Sequence, residues 1–307
     1  MKRSSLRYVV LLAAVAGSLI AGIAALNYFV DPYDVFGCNR LGVYVAADRE
    51  SRPSFIERYP HDAVLLGTSK AAMIDTTQLG PYRFFSVTFG GATVEELFFF
   101  ADAYFKDLKL AVIALDFGMF SRGAAVEQNP FTERDIGYYL PFLFSLATAE
   151  DSVQTVSRYF RGRPRAFRDD GSYIAEKWAA TKDVPNAAVL EDAFAKEKAS
   201  YEKMQYCQEK MDKLGKLAEL LKQRNIPTIA VINPLHERSV AILRASPVAK
   251  QAELWVEKVR QIFPHTVDLR DTKYSKKENF FAADPVHYKP DVGVKFMVEE
   301  VLTLADK

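Results

Sequence analysis

The stretch Ala63-Val64-Leu65-Leu66-Gly67-Thr68-Ser69-Lys70 decides the reading of the chain. Four apolar residues stop at a glycine, and a hydroxyl pair follows. A short apolar run bounded by such residues reads as a strand buried on both faces. A strand that ends in Gly-Thr-Ser presents a serine hydroxyl at its carboxyl end, with Thr68 to Met73 reading as a turn into a short helix. The distant complement is Asp284-Pro285-Val286-His287, a carboxylate three residues before a histidine, in an expected loop just before the last helix. A serine, a histidine and an aspartate supply a nucleophile, a base and an orienting acid.

Working outward, the same alternation of strand and helix recurs. Arg83–Thr88 reads as a second strand, ended by Gly90-Gly91. Thr93–Phe105 reads as a helix that Thr93 caps. Leu108–Leu115 is a third strand, continuous and apolar, with Asp116 at its end. Residues 117–187 carry prolines, an aromatic cluster and a run of arginines from Arg158 to Arg168. They read as a helical insertion, with the arginines either a solvated face or a contact for anionic glycan or phospholipid. Leu190–Arg224 reads as one long amphipathic helix, stopped by Asn225-Ile226-Pro227. Thr228–Ile232 and Thr266–Leu269 are further strands. Helices are expected near Val240–Arg244, Ala249–Phe263 and Asp291–Leu304.

This pattern predicts an α/β domain with a mostly parallel sheet. Such sheets bind ligands outside the carboxyl ends of their strands. Ser69, Gly90-Gly91, Asp116 and His236 all fall there. Asp116 has two readings, a ligand for substrate hydroxyls or a structural carboxylate that holds Lys70 or a turn. His236 is a supporting or acceptor-site candidate. No His, Cys or Asp spacing suits a metal, and Phe89-Gly90-Gly91-Ala92 lacks a nucleotide-binding pattern, so neither metal nor cofactor is expected.

The chain has 307 residues, 49% hydrophobic and 26% charged, with a formal net charge of +1. That is a globular composition, and the balance of charge gives no reason to expect nucleic acid as a partner. Tyr8–Val30 runs 23 residues without a charge, enough to cross a bilayer as a helix. Lys2, Arg3 and Arg7 precede it, which puts the N-terminus in the cytoplasm and the rest outside. A cleaved signal peptide is the competing reading, but its apolar region is roughly 7–15 residues, so the length favours an anchor. Domains are expected at 1–30 (cytoplasmic end and transmembrane helix), 31–61 (irregular connector) and 62–307. An oxidising compartment permits a Cys38–Cys207 bridge; alternatively Cys207, on an apolar stripe with Tyr201, Met204, Met211, Leu214 and Leu221, is a buried thiol.

Gly67-Thr68-Ser69 and Asp284-Pro285-Val286-His287 resemble the first and last blocks of the SGNH (GDSL-like) hydrolase and acyltransferase superfamily. The resemblance covers residues of about 60–116 and 228–304, an estimate from the element pattern. It implies a flavodoxin-like three-layer fold with Ser69 as nucleophile, His287 as base and Asp284 as orienter. It also implies an oxyanion hole drawing on Gly91 or Gly90, with the backbone N–H of Ser69 or Lys70. Two departures stand out: Thr68 replaces the first-block aspartate, and strand three ends in Leu115-Asp116-Phe117-Gly118, without the third-block asparagine. His287-Tyr288 and the N-terminal anchor resemble the membrane-anchored branch, which includes the teichoic acid D-alanine transfer protein and alginate-type exopolysaccharide acetylation proteins. That branch implies a single-pass protein of the bacterial inner membrane with its catalytic domain in the periplasm. It implies acyl transfer, acetyl foremost, to a polysaccharide hydroxyl or water, and a multi-pass membrane acyltransferase as donor partner. The alternative is a non-catalytic scaffold of an envelope polysaccharide complex that keeps the same fold.

Overall fold

A computed structural model describes residues 3–45, 47–123, 129–131, 134–163, 165, 167–174 and 176–305. In chain order the first elements are α1 (Arg3–Val30), α2 (Asp48–Arg58), β1 (Ala63–Thr68), β2 (Phe84–Phe89), α3 (Val94–Tyr104) and β3 (Leu110–Leu115). Then come α4 (Ile136–Phe144), α5 (Leu146–Phe160), α6 (Glu176–Lys182), α7 (Ala187–Lys203), α8 (Gln208–Gln223) and β4 (Thr228–Ile232). The last are α9 (Glu237–Ala245), α10 (Ala249–Ile262), β5 (Thr266–Asp268), β6 (Phe280–Phe281), β7 (Asp284–Tyr288) and α11 (Pro290–Phe296). The chain divides into two units, Met1–Ser54 with Thr132–Ala166, and Phe55–Phe131 with Phe167–Lys307.

The second unit is the α/β domain. The five strands of its main sheet are all parallel, in the order β2-β1-β3-β4-β5. This is the doubly wound order of flavodoxin, whose switch point lies between β1 and β3. Every residue of β1, β2 and β3 is buried, as strands covered on both faces must be. Ala63, Leu65, Leu110, Val112, Ala114, Ile229 and Val231 join one core cluster with Val292, Phe296, Met297 and Val301 of the C-terminal helical segment. The intervening strand residues point the other way and are equally buried. There α3 and α8 pack on each other. A capping box opens α3: Glu96 N–H donates to Thr93 Oγ1 at 3.2 Å, and Thr93 N–H to Glu96 Oε2 at 2.9 Å.

Four expectations need correction. The helix foreseen from Leu190 to Arg224 is two helices, α7 and α8, parted at Met204–Cys207. Tyr206 forms an antiparallel bridge to Ser121, and Cys207 N–H donates to Phe120 O at 2.8 Å. Backbone pairing with a distant segment therefore overrides a continuous helical pattern. Cys207 is half-buried rather than a core thiol, and both cysteines are unbridged. Its Sγ lies 3.0 Å from Glu209 Oε2. Residues 31–61 carry a helix, α2, that Pro53 within it conceals. The loop expected at Asp284–His287 is a strand, β7, paired antiparallel with β6. By contrast, Asn225 does end α8 in the left-handed conformation, at φ 54°.

In the first unit, α1 packs on α4 and α5. Leu6–Val30 is long and apolar enough to cross a membrane. Asn27 is wholly buried near its end. Its amide donates to the carbonyls of Phe142, Leu143 and Ser145 at 3.1, 3.0 and 3.0 Å, and its Oδ1 accepts from Ser152 Oγ at 3.2 Å. The carbonyls that the C-terminus of α4 leaves unpaired are thus satisfied from α1. Tyr33 OH donates to Asp151 Oδ2. The arginine run does not act as one face. Arg165 stacks on Tyr44 in this unit. In the α/β unit, Arg168 pairs with Asp75 at 3.6 Å.

Candidate active site

Ser69 follows the last residue of β1 at the switch point of the sheet. Gly67 makes that placement possible. A Cβ there would lie 2.9 Å from Ala71 Cβ and 3.0 Å from Ala114 O, so no side chain fits between β1, β3 and the turn that follows. A turn over Ser69 and Lys70 leads into a short helix, as expected for Thr68–Met73, and that helix is a three-residue 3-10 turn, Ala71–Met73. A helix macrodipole behind the serine is therefore absent from the site.

Asp284 and His287 come from β7. Asp284 Oδ1 accepts from Val286 N–H at 3.0 Å and from His287 N–H at 3.3 Å. Those two bonds fix the carboxylate and leave Oδ2 for His287 Nδ1, 2.9 Å away. His287 Nε2 lies 3.0 Å from Ser69 Oγ. A carboxylate only accepts, so Nδ1 carries the proton and Nε2 offers its lone pair to the serine O–H. Asp284 and His287 are both buried.

A second network runs behind the serine. Asp116 Oδ2 accepts from Thr68 Oγ1 at 2.6 Å and from Asn233 Nδ2 at 3.3 Å. Its Oδ1 pairs with Lys70 Nζ at 2.9 Å. Asn233, at the end of β4, accepts from Tyr288 OH at 3.3 Å. Tyr288 is wholly buried, and burial holds its phenol well above the ordinary value. The carboxyl ends of β1, β3 and β4 are thereby linked to β7. Thr68 does what the sequence could not suggest for it, because its partner is 48 residues away.

A cavity of about 590 Å³ opens over Ser69. Gly91, at φ 62°, borders it along with Lys70 and Asp116. The opposite wall comes from α7, with Lys196, Glu197, Ser200 and Tyr201, and Arg270 also borders it. Tyr201 OH donates to Glu197 Oε1 at 3.3 Å, and Ser239 Oγ to Glu197 Oε2 at 2.6 Å. Burial, then the Glu197 charge, pushes the Tyr201 phenol up. Arg270 is held by Asp268 and Glu253, each at 3.0 Å. This wall escaped sequence reading, since Lys196 and Glu197 look like the polar side of an exposed helix.

Two candidates lie elsewhere. His236 does not border the cavity; its Nδ1 accepts from Arg238 N–H at 3.1 Å and caps α9. Its ring sits against those of Phe194 and Phe280. Gly90 is exposed and does not border the cavity.

No family model and no curated protein matches the chain. Among solved structures, a "putative acylhydrolase" from Bacteroides fragilis NCTC 9343 is similar over 82% of this chain and 93% of that chain, at 12% identity and a TM-score of 0.42.

Proposed function

We propose that the chain is a serine-dependent O-acyltransferase or esterase of the SGNH type, held in a membrane by α1. The observation that carries this reading is the continuous line Ser69 Oγ, His287 Nε2, His287 Nδ1 and Asp284 Oδ2, with gaps of 3.0 and 2.9 Å. These are the distances a nucleophile, base and orienter need. Ser69 Oγ attacks the acyl carbonyl while His287 takes its proton. The tetrahedral intermediate collapses to an acyl-Ser69, and His287 returns the proton to the departing oxygen. An acceptor hydroxyl then gives its proton to His287, attacks the ester and frees Ser69. Gly91 and Ser69 supply the backbone N–H groups for the oxyanion; the Lys70 N–H is directed at Thr68 Oγ1, 3.4 Å away.

The acceptor in this reading is a hydroxyl of a cell-surface or exported polysaccharide. The wall of Lys196, Glu197, Ser200 and Tyr201 supports it, because sugar hydroxyls need donors and acceptors spread across a cavity. The acyl group, acetyl foremost, comes from a multi-pass membrane acyltransferase, and the α/β unit lies in the periplasm. The test is hydrolysis of a small acetyl ester, with Ser69→Ala as control. Turnover that Ser69→Ala abolishes supports the reading, and turnover that survives it contradicts the reading.

One observation favours a non-catalytic scaffold. The Asn233 amide is used by Asp116 and by Leu115 O, at 3.3 and 3.5 Å, so it does not serve an oxyanion. Well-folded protein without turnover in the same assay selects that alternative.

A further inference from the structure

The helices α4 and α5 are built the wrong way round for a water-soluble surface. α4 has no charged residue, and none of its residues is buried. Ile136, Leu140 and Phe144, at a four-residue spacing, form one exposed stripe with Pro141 beside it. In α5 the buried residues are Thr148, Ser152 and Thr155. Its exposed apolar residues include Leu146, Val153 and Phe160, seven residues apart, with Glu150 the one charged side chain exposed between the first two. These six apolar side chains are between 43% and 80% exposed. A soluble amphipathic helix buries its apolar stripe; α5 buries three hydroxyl residues and leaves its large apolar side chains exposed.

Position says what covers this face. Asn27 bonds to the last carbonyls of α4, and Asn27 is three residues from the end of α1 at Val30. At 1.5 Å per residue, α4 therefore ends about 4.5 Å inside the length of α1. The apolar stripe is continuous in kind with Tyr28 and Phe29, which are also exposed. Immediately beyond Phe160 lie Arg161, Gly162 and Arg163, all exposed. Aromatic side chains flanked by arginine are the composition of a headgroup boundary.

We infer that α4 and α5 form a hairpin that lies in the headgroup–acyl boundary of the bilayer, beside the exit end of α1. The inference rests on the reading of α1 as an uncleaved membrane anchor. The occupant of the apolar face is phospholipid, and the polar stripe of α5 turns toward the protein, where Ser152 Oγ donates to Asn27 Oδ1. The protein thus holds its membrane by a span and an interfacial hairpin together.

The test uses the full chain with Cys38→Ser and Cys207→Ser, carrying one new cysteine at a time. Leu140→Cys, Phe144→Cys and Val153→Cys take an environment-sensitive fluorophore. Leu12→Cys in α1 and Leu254→Cys in α10 serve as references. The proteins are reconstituted in phosphatidylcholine–phosphatidylglycerol vesicles with brominated acyl chains. The expected result is loss of fluorescence at Leu140, Phe144, Val153 and Leu12, and none at Leu254. Quenching at Leu12 alone, with iodide reaching Leu140, overturns the inference and leaves the anchor reading standing. Protection of Leu140 from both quenchers means that a second copy or another protein covers the face, and also overturns it. An unquenched Leu12 removes the anchor reading and the inference together. Three positions on two helices keep the test decisive if one variant misfolds.

Discussion

Thr68 Oγ1 donates to Asp116 Oδ2 at 2.6 Å, and Lys70 Nζ pairs with Asp116 Oδ1 at 2.9 Å. The residues on either side of Ser69 are therefore fastened to one carboxylate at the end of β3. The Lys70 and Asp116 side chains are 15% and 12% exposed, so the pair is shielded from solvent. Asp116→Ala strands the lysine and the Asn233 amide, with an expected loss of about 3 kcal/mol, read as a lower denaturant midpoint. Asp116→Asn keeps the shape and loosens the serine. Its kcat is expected to fall by about 100-fold with KM little changed, the cost of a misplaced nucleophile. An unchanged kcat in Asp116→Asn removes Asp116 as a positioning residue.

Asp284→Asn separates orientation from folding. An asparagine Oδ1 keeps the bonds from Val286 N–H and His287 N–H. Its Nδ2 then faces His287 Nδ1 as a donor and selects the wrong tautomer. Acetyl-ester turnover is expected to drop by about 10⁴-fold with the thermal midpoint nearly unmoved. His287→Ala is expected to match it. A pair of variants that keep most of their turnover contradicts the base–orienter assignment.

Gly67→Ala places a methyl against Ala71 Cβ and the Ala114 carbonyl. Neither neighbour is the end of a flexible side chain. The expected cost is about 3 kcal/mol, the upper part of the range for overpacking. Activity is expected to fall too, because Ser69 is two residues away. A denaturant midpoint equal to wild type shows that β1 and β3 have room to part.

Stability is expected to depend on pH through His236. Burial pushes its imidazole below the ordinary 6.5; the Glu237 charge opposes this, and Arg238 and Lys277 reinforce it. As pH falls through 6.5 the unfolded chain takes up a proton that the folded chain does not. Stability is then lost from 6.5 down to the folded value, where the loss levels off. His236→Asn keeps an acceptor for Arg238 N–H and cannot titrate. Between about pH 7.5 and about pH 5.5 its denaturant midpoint is expected to fall less than that of wild type. Equal slopes rule out this role for His236.

The strands were legible because strands buried on both faces are unbroken apolar runs. Ala63–Leu66 and Thr228–Ile232 stand out on that ground alone. Ser69 was legible as a hydroxyl at a strand end, and Asp284 and His287 as a carboxylate–imidazole pair three residues apart; the structure brings their side chains together. What was hidden depends on partners distant in sequence. Asn233 matters through Asp116 and Tyr288, which lie 117 and 55 residues away. The break between α7 and α8 is made by Phe120 and Ser121, with no glycine or proline at the break itself. The hairpin of β6 and β7 is too short for its alternation to register. His236 read as a strand-end ligand because a helix cap and a substrate contact use the same residue types.

The central claim is that Ser69 Oγ is a nucleophile activated by His287. A fluorophosphonate probe reacts with such a serine and with few others. After labelling of the full chain, peptide mass spectrometry is expected to find the phosphonyl adduct on Ser69. The adduct is expected to disappear in His287→Ala while the fold is retained. An unlabelled Ser69 in folded wild-type protein, or labelling that His287→Ala leaves undiminished, contradicts the account.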